Sequence, residues 1–247
     1  MLQAFQAFFS RQLAKPTGLF GRLFTARWLE KANAGMNALT LDTLALAPGD
    51  RLLELGFGSG YLLEKVLSHR RCDFAAGVDL SPEMVDRAGA RLRAYIDAGK
   101  AQIRHGDIEA IPFADDEFST LCTVNTLYFW RDPQRALAEC RRVLAPGGRL
   151  ALCFNAKSEM LKWPGHVHGF TLYELAEVET MLAAAGFSAI ATTNGDDPVQ
   201  GRFHCVVAAK VATARDGAEN IDTAARAPEY TDASQVDSAF GVTDEAH

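Results

Sequence analysis

Glu54-Leu55-Gly56-Phe57-Gly58-Ser59-Gly60 stands between a short apolar run at 51–55 and a stretch of helical spacing at 61–67. In the second stretch Leu62, Leu63, Val66 and Leu67 share one helix face. A glycine loop between strand and helix is weak evidence by itself, because such loops are often just tight turns, and its context has to decide. Glycine allows a tight turn and lets backbone approach a ligand closely. Of two familiar loops one is disfavoured, leaving a nicotinamide-dependent oxidoreductase as a lesser alternative, and the other is excluded. A dinucleotide fingerprint wants Gly or Ala at position 61, where Tyr61 stands, and no Gly-Lys-Ser/Thr follows for a phosphate loop.

The pattern continues outward from this loop. Segments at 74–78, 101–105, 118–124, 149–154, 187–193 and 202–209 read as strands, 118–124 as a near-continuous apolar run. Ser81-Pro82 and Asp132-Pro133 each place a cap and a first-turn proline at a helix start. The first of these helices shows Met84, Val85, Ala88, Leu92 and Ile96 on one face, and the second runs to about Leu144. Ala145-Pro146-Gly147-Gly148 reads as a turn, and a helix at 173–185 closes on Gly186. Alternating apolar strands and helices predict a mostly parallel sheet covered on both faces. Ligands of such sheets sit beyond the carboxyl ends of the strands, so the loops after Leu55, Val78, His105, Val124 and Phe154 are the ones to search.

Two of those loops begin with an acid. Asp79 follows the second strand, where a carboxylate can accept both hydroxyls of a ribose. Gly106-Asp107-Ile108 follows the third, where a carboxylate can accept from an adenine amino group while Ile108 packs on the ring. Either Asp alone reads as a cap or turn residue. Two acids at successive strand ends beside a glycine loop favour a shared nucleoside site.

Four segments carry a family resemblance: 54–60, Gly77-Val78-Asp79-Leu80-Ser81-Pro82-Glu83-Met84, Gly106-Asp107-Ile108-Glu109-Ala110-Ile111-Pro112-Phe113, and Arg141-Arg142-Val143-Leu144-Ala145-Pro146-Gly147-Gly148-Arg149-Leu150. As a set, over about 41–210, they resemble the class I S-adenosylmethionine-dependent methyltransferases, in the branch shared by many small-molecule and quinone methyltransferases. The resemblance implies a Rossmann-like, doubly wound seven-stranded sheet whose last strand is antiparallel. It implies S-adenosyl-L-methionine as cofactor, with Glu54, Gly56, Gly58 and Gly60 around its methionine part. Asp79 and Leu80 would take the ribose side, and Asp107 with Ile108 the adenine. Phe57 is a mild departure, since a small or polar residue is frequent there.

A sulfonium donor already activates its methyl group, so aligning a nucleophile carries much of the rate. A base is needed only for a nucleophile that arrives protonated. The loop Val124-Asn125-Thr126-Leu127-Tyr128-Phe129-Trp130 would lie between donor and acceptor in this fold. Asn125 is a candidate partner for the donor's amino-acid end, and Tyr128 a candidate catalytic residue at the acceptor. His166 and His168 follow the fifth strand; His168 is the second catalytic candidate, with a surface role as its alternative. No metal is expected, because two histidines without partners are too few.

The 247 residues suffice for one large domain with a sizeable core. Domain boundaries are expected at 1–47 for an N-terminal helical lid, 48–210 for the donor-binding domain and 211–247 for a disordered tail. Before Glu30 stand Arg11, Lys15, Arg22 and Arg27 with no acid, and Leu2, Phe5, Phe9 and Leu13 fall at helical spacing. A membrane-surface helix would look alike, but the helical pattern continues, to about Ala47 with a kink near Gly35, which favours the lid. Asn33 and Asn37 would share a face of it, near Arg27 and Trp28.

The net charge of −6 belongs to the tail, where eight acids oppose only Arg215 and Arg226. The rest is neutral and lacks the basic face of a nucleic-acid binder. Nor does the fourth strand end in the Asn/Asp-Pro-Pro-aromatic signature of amino-methylating nucleic-acid enzymes. Five cysteines without a Cys-x-x-Cys pair fit a reducing, cytoplasmic setting. No apolar run is long enough for stable membrane insertion. The expected partner is a small-molecule acceptor, and the expected state a monomer or homodimer. A nucleic-acid or protein methyltransferase and a non-catalytic cofactor-binding protein are the alternatives. Removing residues 211–247 is expected to leave cofactor affinity unchanged by calorimetry; a large loss would mean the tail is part of the site.

Overall fold

The computed structural model describes residues 30–212. The expectations for residues 1–29, with Arg27 and Trp28, and for the acidic tail from 213 onward lie outside the described residues.

Among the described residues one seven-stranded sheet runs in the order β3-β2-β1-β4-β5-β7-β6. Its strands are β1 (Arg51–Leu55), β2 (Phe74–Asp79), β3 (Ala101–His105), β4 (Phe118–Val124), β5 (Leu144–Asn155), β6 (Phe187–Asp197) and β7 (Gly201–Lys210). The first five pair in parallel, and β7 runs antiparallel between β5 and β6. The doubly wound sheet with an antiparallel last strand is therefore present. β6 shares the direction of the parallel strands, so its carboxyl end lies on the same edge as theirs.

The helices are α1 (Ala34–Leu44), α2 (Tyr61–Ser68), α3 (Pro82–Arg91), α4 (Arg93–Asp97), α5 (Pro133–Val143), α6 (Lys157–Met160) and α7 (Leu175–Ala184). The expected caps are formed: Met84 N–H donates to Ser81 Oγ at 3.4 Å and Arg135 N–H to Asp132 Oδ1 at 3.1 Å. The single helix expected through Ile96 is divided at Leu92 into α3 and α4.

Three boundaries differ from the sequence reading. β5 starts at Leu144 rather than 149, because Leu144 pairs with Phe118 and Arg149 with Thr120. The expected turn at 145–148 is thus a wide bulge inside the strand, opposite Ser119. β6 extends to Asp197 because its polar end forms a hairpin with β7, from Asn194↔His204 to Asp197↔Gly201. Backbone pairing at a sheet edge needs no apolar pattern. The third difference is α1. The part of the expected lid that is described packs on the sheet face, with Met36 and Leu44 fully buried.

Alternation along the strands divides the core. Leu150, Leu152 and Phe154 face the layer of α5 and α7, with Leu137, Val143, Val178 and Leu182. Ala151 and Cys153 face the layer of α1, α2 and α3, with Met36, Leu62, Leu63, Met84 and Leu92. Small side chains under α1 let it sit close: the Cys153 thiol points at the Met36 carbonyl at 3.8 Å, and the Thr43 hydroxyl lies 3.3 Å from Cys205 Sγ. All five cysteines are free and buried, as packing residues. Phe154 is fully buried where β5 meets β7. Phe154→Ala should cost about 3–5 kcal/mol, read as a lower urea midpoint.

Candidate active site

The carboxyl edge of the sheet surrounds a cavity of about 820 Å³. That is near the upper end for a drug-sized ligand, of about 300–1,000 Å³, and leaves room for two small molecules side by side. Residues from the glycine loop and the ends of β2 and β3 form one end of it. Residues from 155–164, Phe170 and the β6–β7 turn form the other, with the β4 loop between them.

At the first end, Asp79 is the organising group. Its Oδ2 accepts from Gly58 N–H and its Oδ1 from Ser81 N–H, each at 2.8 Å. Burial pushes its pKa up, against these two hydrogen bonds that favour the charge. Each carboxylate oxygen keeps a lone pair for a ligand hydroxyl. Glu54 lies at the end of β1, 5% exposed, and its Oε2 has no hydrogen-bond partner. Burial, and then the charge of Asp79, raise its pKa to about 8. A buried carboxyl oxygen left without a partner, on the wall of a cavity, fits a cationic ligand group.

Gly56, at φ 71°, is needed for close approach, since a Cβ there would meet Thr126 Cγ2 at 2.5 Å. Gly56 and Gly58 line the cavity, as do Leu80 and Ile108; Gly60 does not. A Cβ on Gly60 would strike Ala88 of α3 at 2.9 Å, so this glycine serves helix packing behind the loop. Phe57 is buried and lies over Gly77. Asp107 lines the cavity with its carboxylate engaged: Oδ1 accepts from Glu109 N–H at 3.0 Å and Oδ2 pairs with Arg131 at 2.6 Å.

The β4 loop joins the two ends. Asn125 takes φ 58°, a conformation that asparagine tolerates better than most residues, and its N–H reaches Cys153 O at 2.9 Å. Its side-chain amide donates to Asn33 Oδ1 at 2.8 Å, and Gln200 donates to the same oxygen at 2.9 Å. Asn33, on the residue before α1, and Asn37 both line the cavity. Tyr128 lines it too, but its hydroxyl is committed: it donates to Asn125 Oδ1 at 3.2 Å and accepts from Asn155 N–H. Burial raises its pKa far beyond the ordinary phenol range. Tyr128 is thus built to position Asn125 and β5, not to accept a proton.

The second end is aromatic. Phe170 meets Phe129 at 4.6 Å, Trp163 at 5.2 Å and Tyr128 at 5.8 Å between ring centroids. Met160, Pro164 and Val199 complete the wall. His166 and His168 do not line the cavity; the His166 ring bonds the Trp163 carbonyl at 2.6 Å. The structure therefore separates His168 from the other site candidates. Among the described residues no group of three or more His, Cys, Asp or Glu could hold a metal ion.

Sequence reasoning missed Glu159, Phe170 and Gln200. Gln200 follows the carboxyl end of β6, so the same strand-end rule would have found it. Glu159 lies in the one-turn helix α6 and Phe170 in irregular chain, both too short to show a periodicity that would mark them.

A parallel sheet with a glycine loop and successive acids at its carboxyl edge defines a nucleoside-binding α/β domain. Residues 53–152 match the family described as a methyltransferase domain. The chain is 38% identical to an uncharacterized methyltransferase of Mycobacterium tuberculosis (strain H37Rv), over 50% of this chain and 47% of that protein. It is 30% identical to the 27-O-demethylrifamycin SV methyltransferase of Amycolatopsis mediterranei, over 50% of this chain and 45% of that one. The chain spans about half the length of these curated relatives. The fold matches a SAM-dependent methyltransferase from Aquifex aeolicus with a TM-score of 0.62 at 21% identity, covering 76% of this chain and 97% of that one. Residues 53–152 are thus similar to a methyltransferase domain, on a fold shared with a SAM-dependent methyltransferase.

Tyr128→Phe would leave the buried Asn155 N–H without its acceptor, which should lower stability by about 1–3 kcal/mol. Urea unfolding checks this, and an unchanged midpoint would mean the hydroxyl is not the clamp described.

Proposed function

We propose that this chain transfers the methyl group of S-adenosyl-L-methionine to a small-molecule acceptor. The observation that carries the reading is the two-ended cavity, with ligand-seeking polar groups at one end and an aromatic wall at the other. Glu54 takes the donor's α-ammonium, and the Gly56 and Gly58 backbone lets the methionine part lie close. Asp79 takes the ribose hydroxyls with Leu80 beside it, and Asp107 with Ile108 takes the adenine, Arg131 yielding part of the Asp107 carboxylate. Asn125, held by Tyr128 and Asn33, borders the reacting atoms. Bound there, the cofactor supplies an electrophilic methyl on a sulfonium. The protein's own work is to orient the acceptor behind that methyl and to exclude water.

His168 has no part in this reading. Gly60 acts through packing. Residues 48–210 with α1 form the donor-binding unit. The β4 loop lacks the prolines of the amino-methylating nucleic-acid enzymes, and the body lacks a basic field, which supports a small molecule over a nucleic acid. Five free thiols support a cytoplasmic setting. Among the described residues no helix is long and apolar enough to cross a membrane.

Calorimetry should show binding of S-adenosylmethionine or its demethylated product, weakened at least about tenfold by Asp79→Ala through lost charge-assisted hydrogen bonds. Absence of binding to either compound would overturn the reading. Glu54, with its pKa near 8, is mostly protonated at pH 7 in the ligand-free protein. Pairing with an ammonium favours its ionised form, so donor binding at pH 7 should release a proton. Titrations in buffers of different ionisation enthalpy will show that release, and Glu54→Gln should abolish it.

A further inference from the structure

We infer that the acceptor is a flat, apolar aromatic molecule whose nucleophile, an aryl thiol or acidic phenol, enters already deprotonated. This rests on the methyl-transfer reading above and goes further, to the acceptor's class and charge.

The first support is shape and polarity. Phe129, Phe170 and Trp163 present ring faces and edges to one another at the acceptor end, and a planar ring extends such a cluster. The approach is apolar as well. Val199, on the cavity wall, is 65% exposed, and Leu161, next to Met160 and Lys162 of that wall, is 54% exposed.

The second support is charge. Glu159 is the carboxylate of this end, and both its oxygens are engaged: Oε2 pairs with Lys162 and Oε1 with Arg202 at 3.4 Å. Those partners, Lys162 first, hold its pKa below the ordinary range, so it is a weak base and its charge is already answered. Lys162, for its part, is occupied by Glu159. Glu30 Oε1 makes no hydrogen bond but is answered by ion pairs with Arg91 at 3.0 Å and Arg87 at 3.8 Å. Asp79 and Asp107 are tied up at the donor end. The acceptor end therefore has neither a free anion for an ammonium nor a free cation for a carboxylate, among the described residues.

The third support is that no base faces the acceptor among the described residues. The Tyr128 hydroxyl is bonded on both sides, and burial keeps it protonated. The two histidines of the 164–168 segment do not line the cavity. Residues 1–29 contain no His, Asp, Glu, Cys or Tyr. The acceptor's proton must then be lost to solvent before entry.

The chemistry balances without a protein base. The thiolate or phenolate lone pair forms the new bond to the methyl carbon. The old carbon–sulfur bond breaks, and its electron pair returns to the donor sulfur, leaving a neutral thioether. An anion and a cation give two neutral products. Charge shrinks along the reaction, so an apolar chamber penalises the transition state less than the separated ions. An amine acceptor would instead leave a new ammonium at an end with no free carboxylate.

The test uses the full chain, radiolabelled S-adenosylmethionine, and thiophenol, 4-nitrophenol, phenol and benzylamine as acceptors. Donor calorimetry is run alongside. Thiophenol and 4-nitrophenol should be methylated, with kcat/KM rising with pH to a plateau at each acceptor's own pKa. Benzylamine should give no product. Phe170→Ala, and independently Trp163→Ala, should raise acceptor KM about tenfold and leave donor affinity unchanged. A pH midpoint common to all acceptors would reveal a protein base and overturn the inference. So would benzylamine turnover at a comparable rate, or no product from any aryl acceptor while the donor still binds. Failure of the donor to bind would instead overturn the methyl-transfer reading itself.

Discussion

The hydrogen bond from Gly58 N–H to the Asp79 carboxylate is the constraint on which the rest of the site depends. It ties the loop after β1 to the end of β2 across two neighbouring parallel strands. Without it the glycine loop is a flexible run with few side chains to hold it. With it, the loop lies over the strand ends and Gly56 can pass against Thr126. The same carboxylate receives the N–H of Ser81, the cap of α3. Arg91, at the end of that helix, reaches back to Ser59 at 2.9 Å. One buried acid thus sets strand, loop and helix in register, and its remaining lone pairs face the cavity.

A second node controls the other half. Asn33 accepts from both Asn125 and Gln200, so α1's entry, the β4 loop and the β6–β7 turn meet at one oxygen. Tyr128 and Asn155 extend this node: Asn155 Nδ2 donates to the Gln200 carbonyl at 3.0 Å. Three segments far apart in sequence are held by amides that carry no net charge. That suits a place between a cationic donor and an apolar acceptor chamber, where a fixed charge would bias both.

The strands β1, β3 and β4 were legible to the residue: β1 and β4 are largely buried, and β3, a half-exposed edge strand, is set off by Lys100 and Gly106. Gly56, Gly58, Asp79 and Asp107, singled out in the sequence by their recurrence at successive strand ends, line one cavity. The acceptor end was not legible. Its residues come from short irregular turns, and Phe170 or Met160 in sequence is one more apolar residue. Tyr128 and His168 looked alike as candidates because a sequence shows a functional group but not its partners. The structure separates them, the tyrosine clamped inside and the histidine off the cavity wall. α1 packs on the sheet through Met36 and Leu44 and also carries Asn37 to the cavity wall; a helix on a sheet and a helix on a ligand show the same periodicity. Only the small residues beneath it, Ala151, Cys153 and Cys205, hinted at close packing.

The two ends of the cavity differ in a way that bears on the order of events. At the donor end one buried oxygen of Glu54 lacks a partner, while at the acceptor end the charges are already paired. A cationic donor therefore finds a group waiting for it, whereas an anionic acceptor finds nothing in the empty protein. Once the sulfonium is in place the situation reverses, because it becomes the unpaired charge facing the aromatic wall. Attraction between unit charges is about four times stronger at a partly buried effective dielectric near 20 than in water. On the proposed chemistry the donor creates the acceptor's binding site, and donor binding precedes acceptor binding. After transfer both products are neutral in this region, so the attraction that assembled the pair is gone and release is favoured.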